Sequence, residues 1–285
     1  MRCALIGCGY WGSILKSYIE ESSFFDLVAV CDSKSDLNKV WSDKSIEAVV
    51  IATPIETHYV IVKAALLSGK HVFSEKPLAL RSEECRELKL LAKRKNLVLH
   101  IDYVFTFSKS LAYVRSLIGT EDVGELLAME MNVKHLGRFG RQDVYWLLAS
   151  HMFSVLSMFC PLKLLNFCFV DLIKNETGTI FFDGNLKGSI NVSLNYPWKE
   201  ANIIFYCEKA SIQYNPNEQF TLKIVYYKKR EWTIQANIPK KADVKNLNEK
   251  HNLRHAIKSF ANCVSGRENS NIDLAVQITE ILENH

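Results

Sequence analysis

Residues 1–12, Met1-Arg2-Cys3-Ala4-Leu5-Ile6-Gly7-Cys8-Gly9-Tyr10-Trp11-Gly12, decide the fold. A short apolar run breaks into G-x-G-x-x-G and then into a helical apolar period at Ile14, Leu15, Tyr18 and Ile19. Strand, glycine turn and helix in that order are the context of a dinucleotide-binding βαβ unit. Gly7 permits the tight turn, Gly9 lets backbone N–H groups approach a pyrophosphate, and Gly12 lets the helix pack close to the strand. The helix N-terminus offers free N–H donors and a positive dipole end to the phosphates, with Tyr10 and Trp11 in the same cofactor loop. A second apolar run, Leu27 to Cys31, ends in Asp32, 20 residues after Gly12. A carboxylate there accepts both ribose hydroxyls of NAD and repels a 2′-phosphate. NAD is therefore the expected cofactor. NADP stays open, because Ser33-Lys34 beside Asp32 could accept the 2′-phosphate.

Outward from this unit, apolar runs alternate with helical stretches up to about residue 122, which predicts a parallel, doubly wound sheet. Strands are expected at 46–52, 71–73 and 97–101, with helices at 57–67, 82–95 and 108–118. Only twenty residues separate Asp32 from Ala52, so this edge of the sheet is expected to be trimmed, with a short helix near 36–41. From Leu126 the pattern changes to strands with few helices between them: 127–133, 163–172, 178–182, 186–194, 201–207, 211–214, 221–227 and 231–238. Lys187, Ser189, Asn191 and Ser193 alternate with Gly188, Ile190, Val192 and Leu194, as in an antiparallel sheet with one wet face. The expected fold class is α/β. A Rossmann domain over residues 1–122 precedes an α+β domain over 123–285 with a large, mostly antiparallel open sheet. A helix at 144–159 lies among the strands, helices near 252–264 and 273–282 end the chain, and 240–249 is expected to be a surface loop.

Bulk properties narrow the function. The chain has 285 residues, 48% hydrophobic and 23% charged, enough for two packed domains. Its net charge of +4 comes from scattered Lys and Arg, which argues against nucleic-acid binding. No apolar run is long enough to span a bilayer, and with a core strand read from residue 1 no leader is expected. Eight cysteines without C-x-x-C or zinc-like spacing predict free thiols, no metal site and a cytoplasmic setting.

Three constellations could carry chemistry. Thr53-Pro54 at the end of the third strand, with His58 one helical turn on, lies where open α/β sheets bind ligands. There Thr53 could face the cofactor, and His58 either contacts it or serves as a cap or core residue. Glu75-Lys76-Pro77 follows the next strand. Its lysine can hold a sugar hydroxyl by a charge-assisted bond and tune a proton transfer, or be half of a solvated ion pair. His151 sits in Asp143-Val144-Tyr145-Trp146-Leu147-Leu148-Ala149-Ser150-His151-Met152. A histidine titrates in the range needed to exchange a hydroxyl proton during hydride transfer, although a lone histidine in an apolar helix is more often a core residue.

In this order, Gly7-Cys8-Gly9-Tyr10-Trp11-Gly12, Asp32, Ala52-Thr53-Pro54 with His58, Glu75-Lys76-Pro77, Gly124 and His151 resemble the Gfo/Idh/MocA oxidoreductase family over the whole chain. The resemblance implies an NAD(P)-dependent sugar or nucleotide-sugar oxidoreductase that assembles as a homodimer or homotetramer. Lys76 would be the motif lysine at the reacting hydroxyl, and Glu75 with Lys76 would also border the cofactor. His151 would anchor or deprotonate the substrate. On the reading as an enzyme, Arg138 could meet a carboxylate or phosphate, and Tyr103, Tyr145 and Trp146 could line the cleft, although each is more often a packing residue. The chain departs from the family at Leu147, four residues before His151, where the family typically places Asp. Asp143, two turns before His151 and roughly 12 Å along a helix axis, cannot substitute. Ser108-Lys109 replaces the family's Asn-Pro. These departures leave a second reading open, a catalytically degenerate nucleotide-binding relative with a regulatory or scaffold role.

Overall fold

The structure is a computed structural model that describes residues 1–137, 143–216, 218, 221–227, 240–247 and 252–285. The expected strand at 231–238 and Arg138 lie outside the described residues. The chain forms two compact units, Met1–Val104 with His251–Asn284, and Phe105–Lys250 with His285.

In the first unit five strands, β1 (Arg2–Ile6), β2 (Asp26–Cys31), β3 (Ala48–Ile51), β4 (His71–Ser74) and β5 (Leu99–Ile101), form a parallel sheet in the order β2-β1-β3-β4-β5. The helices between them are α1 (Tyr10–Glu20), α2 (Asn38–Ser42), α3 (Ile55–Leu67) and α4 (Ser82–Lys95). β1 and β3 are buried on both faces, as central strands of a helix-covered sheet must be. α4 has Glu83 and Glu84 in its first turn and Lys93, Arg94 and Lys95 in its last, in accord with the helix dipole. The trimmed edge is real, since α2 has five residues. Buried Lys70 holds the segment after it, donating to the carbonyls of Asp43 (2.5 Å) and Ile46 (2.8 Å).

The second unit opens with α5 (Lys109–Leu117), whose first turn is capped by the Ser108 hydroxyl accepting from the Leu111 N–H. Eight strands follow, with α6 (Ser150–Leu156) between the first two. They are β6 (Leu126–Leu136), β7 (Leu165–Ile173), β8 (Thr177–Gly184), β9 (Lys187–Ser193), β10 (Asn195–Cys207), β11 (Ala210–Asn215), β12 (Thr221–Tyr226) and β13 (Lys241–Asn246). Their order is β13-β12-β11-β10-β6-β9-β8-β7, antiparallel except for the β6–β9 pair. β13 replaces part of the expected surface loop. Its charged residues conceal a strand at the sheet edge, where charge protects against edge-to-edge pairing. Lys241 lies over the Tyr226 ring and Lys245 over Tyr113.

The last two helices, α7 (Asn252–Val264) and α8 (Ile272–Glu283), return to the first unit. The compact units therefore differ from the expected division at residue 122, and the physical reason is local. Phe260 of α7 stacks on Phe25 and packs against Phe73, with centroids 5.6 and 5.7 Å apart. Just before α8, the Asn271 side chain bonds both the N–H and the carbonyl of Ile101 (2.8 and 2.7 Å), closing the exposed edge of β5. Ser82 and Arg86 of α4 meet Glu283 and Glu280 of α8.

Candidate active site

All parallel strands of the first sheet end on one side, and the loops leaving β1, β2, β3, β4 and β5 carry the residues of interest. Gly7 has φ +95°, and a Cβ there would come within 2.4 Å of the Ala52 carbonyl. A Cβ on Gly12 would lie 2.0 Å from the Gly7 carbonyl. These two glycines are required by the protein itself. Gly9 differs, because a Cβ there would meet no atom within 4 Å. Gly9 also caps α1 without a side-chain bond, and the first turn holds no acidic residue. The loop is thus an open, uncharged cradle at a helix N-terminus, which fits a pyrophosphate. Tyr10 and Trp11 flank it, exposed and packed edge to face at 5.8 Å. Asp32 Oδ1 accepts from the Lys34 N–H (2.9 Å) and the Ser35 hydroxyl (2.8 Å), the latter chiefly holding the carboxyl below its usual range. Among the described residues Oδ2 has no hydrogen bond, which leaves it available to a ribose.

At the end of β4 stands a three-charge cluster. The Glu75 N–H donates to Ile51, and the Asp102 N–H donates to Ser74, each at 2.9 Å. These bonds continue the parallel ladder one step past the strands. Glu75 and Lys76 are half-buried, whereas Asp102 is only 4% exposed and its Oδ1 has no hydrogen bond among the described residues. Burial pushes the Lys76 ammonium down to about 8, opposed by Glu75 and Asp102. Burial also raises the carboxyls of Glu75 and Asp102. A lysine so tuned can take or give a proton near neutral pH. Sequence reasoning missed Asp102. Its one signal was a carboxylate directly after an apolar strand.

Thr53, Pro54 and His58 shape the neighbouring loop. Pro54 caps α3, and Thr53 Oγ1 accepts from the Thr57 hydroxyl at 2.8 Å. The expected cofactor contact by His58 is corrected here. The side chain is 2% exposed, with Nδ1 2.8 Å from the Pro77 carbonyl and Nε2 2.8 Å from the Thr53 carbonyl, so neither nitrogen is open to a ligand.

Of the residues expected to line a substrate cleft, Tyr103 belongs to the first unit and Tyr145 and Trp146 to the second. Tyr103 is fully buried, and desolvation raises its phenol far above the ordinary range. Tyr145 is also fully buried, with its hydroxyl donating to Asp171 at 2.9 Å and its ring packed against Phe169 and His285. Both side chains are fully buried, which corrects the cleft-lining expectation in favour of its packing alternative. Trp146 is half-buried. His151 lies half-buried in the first turn of α6, its ring edge-on to Phe105 at 5.4 Å. The turn before it, Tyr145–Ala149, winds as a π-helix, and the Ser150 N–H donates to the Tyr145 carbonyl five residues back.

Residues 32–103 match the family model GFO_IDH_MocA, described as an oxidoreductase family with an NAD-binding Rossmann fold. The 2,7-anhydro-N-acetylneuraminate hydratase of Mediterraneibacter gnavus is 30% identical over 138 residues, 44% of this chain and 37% of that protein. The chain thus spans little more than a third of the length of this curated relative. UDP-N-acetylglucosamine 3-dehydrogenase GnnA from Acidithiobacillus ferrooxidans superposes with TM-score 0.83 at 16% identity, covering 99% of this chain and 95% of that one. KijD10, a 3-ketoreductase from Actinomadura kijaniata solved with TDP-benzene and NADP, superposes with TM-score 0.86 at 14% identity, covering 99% and 95%. At these identities the two structures establish a shared two-sheet fold. With its parallel sheet, glycine cradle and matched segment, the first unit is similar to the NAD-binding Rossmann fold of the Gfo/Idh/MocA oxidoreductase family.

Proposed function

We propose that this protein is an NAD-dependent oxidoreductase acting at a carbon of a sugar or nucleotide sugar. The observation that carries this reading is the Glu75–Lys76–Asp102 cluster, built at the same sheet edge as the open Gly9 cradle and Asp32. The glycine cradle would hold the pyrophosphate, and the free oxygen of Asp32 the adenosine ribose. Nicotinamide, when bound, supplies or accepts the hydride. Lys76 holds the substrate oxygen and exchanges its proton at Nζ, for which a group titrating near 8 is suited. His151 is the second proposed acid/base or anchoring group. The sugar-related activities of the hydratase, the dehydrogenase and the ketoreductase support the substrate class. Exposed Phe181, Leu172 and Ile173 on β8 and β7 support assembly as a homodimer or homotetramer.

A fluorescence titration of cofactor-stripped protein with NADH and NADPH tests the cofactor half. Preference for NADH by tenfold or more is expected, and NADPH preference would reverse the assignment of Asp32. Turnover of nucleotide sugars, lost in Lys76→Ala with NADH binding retained, tests the chemistry. Leu147 favours the second reading, a nucleotide-binding relative without turnover. That reading takes over if NADH binds and no sugar or nucleotide sugar is oxidised or reduced.

A further inference from the structure

The loops after β3 and β4 are joined through one buried side chain. The His58 ring lies between the carbonyl oxygens of Thr53 and Pro77, at 2.8 Å from each. A carbonyl oxygen only accepts, so a hydrogen bond at each end requires an N–H at each ring nitrogen. Pro77 directly follows the lysine proposed to carry the chemistry, and its ring leaves the loop without a backbone donor at that residue. On the other side, the Thr53–Pro54 turn is held to α3 by the Thr57 hydroxyl, whose one proton is shared between Thr53 Oγ1 and the Pro54 carbonyl (2.8 and 2.6 Å). One loop is thus anchored to its helix, and His58 extends that anchor to the next loop.

We infer that His58 is a positioning residue for Lys76: its ring is a strut between the Thr53 and Pro77 carbonyls that fixes the Pro77–Leu78 peptide, directly after Lys76, against the loop after β3. The inference rests on the role proposed for Lys76. It goes beyond that role in assigning a side chain that touches neither cofactor nor substrate.

The strut responds to protonation. The imidazolium satisfies both carbonyls, whereas neutral imidazole donates to one and turns a lone pair toward the other. Burial and the Lys76 charge, from the loop after β4, disfavour the imidazolium; the two carbonyls and Glu56, on the same helix, favour it. The strut therefore has two arms on the acid side and one arm once the ring is neutral.

Two readouts separate this role from a general packing role. The first is a double-mutant cycle. His58→Ala should lower kcat at least tenfold with the NADH dissociation constant changed less than threefold. The Lys76→Ala/His58→Ala pair should be no slower than Lys76→Ala alone, because the strut acts through the lysine. His58→Gln, which keeps one donor and ring-like bulk, should recover part of the loss and guards against a folding defect in the alanine variant. Additive losses would overturn the inference. So would an unchanged kcat in His58→Ala when Lys76→Ala is inactive. If Lys76→Ala itself keeps full turnover, it is the proposed function that fails.

The second readout needs no substrate. Amide hydrogen exchange at Lys76 and Leu78 should accelerate at least tenfold in His58→Ala and His58→Gln, while Val49, Val50 and Ile51 in β3 keep wild-type protection. Equal exchange at Lys76 and Leu78 in wild type and both variants would show that no strut exists.

Discussion

The Asp102 N–H donates to the Ser74 carbonyl at 2.9 Å, which carries a buried carboxyl to the side of Lys76. The two groups are electrically linked, since the negative field of Asp102 raises the lysine against the burial that lowers it to about 8. In the oxidative direction Lys76 must accept a proton, so kcat should rise with pH and level off above about 8. In the reductive direction it must donate, so kcat should fall above about 8. Asp102→Asn removes the supporting charge and should move both limbs to lower pH, by about half to one unit for a buried neighbour. Lys76→Arg should remove the limb altogether. Steady-state pH profiles in both directions check this, and a limb unmoved in Asp102→Asn would separate the two residues.

The glycine loop allows stability and binding to be read independently. Gly9→Ala introduces a Cβ into open space, at φ −76° where any residue is comfortable. Its stability should change by less than about 1 kcal/mol, while NADH binding weakens tenfold or more because the methyl group occupies the place of a phosphate. Gly12→Ala drives a Cβ into the Gly7 carbonyl at 2.0 Å and should destabilise the fold by about 3 kcal/mol or more. Thermal unfolding and NADH titration of the two variants make the test. Equal binding by Gly9→Ala and wild type would mean that the cradle holds no pyrophosphate.

Much of this was legible in the sequence, and what was not has identifiable causes. β1, β3 and β4 announced themselves as apolar runs ending in Gly, Thr-Pro or Glu-Lys-Pro, because a strand buried on both faces has no wet residue to confuse the pattern. α4 was equally plain, with its charges sorted by the helix dipole. β13 was hidden because an edge strand with Lys241, Asp243 and Lys245 has the composition of a loop. The π-turn before His151 was invisible, since no residue type dictates a five-residue repeat. His58, Lys76 and Thr53 were singled out by motif. The geometry redistributed their work, because a ring between two carbonyls leaves no nitrogen for a ligand. Asp102 and Asn271 lacked any motif, and their roles exist only once β5 is laid beside β4.

Lys70 shows how the shortened edge of the first sheet is held. Its side chain is 3% exposed and donates to the carbonyls of Asp43 and Ile46, which lie after the five-residue α2. A longer crossover would satisfy such carbonyls within a helix. Lys70→Met keeps the length and apolar stem and leaves two acceptors, the Ile46 carbonyl buried and the Asp43 carbonyl partly so, without their donor. The expected loss is about 2–3 kcal/mol by urea denaturation. Loss below about 0.5 kcal/mol would mean that water replaces the ammonium at no cost.

Acid should unfold the first unit through His100. The ring is 2% exposed, stacked on Phe73, and 3.7 Å from the Cys263 sulfur through Nδ1. Burial pushes it down from 6.5 to about 4, against a small upward pull from Glu268. The sign follows from which state binds the proton first. Above 6.5 both states are neutral at this residue, and its contribution to stability is complete. As pH falls from 6.5 toward 4 the unfolded chain takes a proton that the folded protein refuses, so stability declines. Below 4 the folded ring is protonated as well and the decline ends. A shift of this size corresponds to about 3 kcal/mol in all. His100→Leu preserves an apolar side chain beside Phe73 and Phe260 and has no proton to bind. Urea midpoints at pH 7 and pH 5 should therefore differ markedly less in His100→Leu than in wild type. The same pH dependence in both proteins would assign the acid sensitivity to the carboxylates instead.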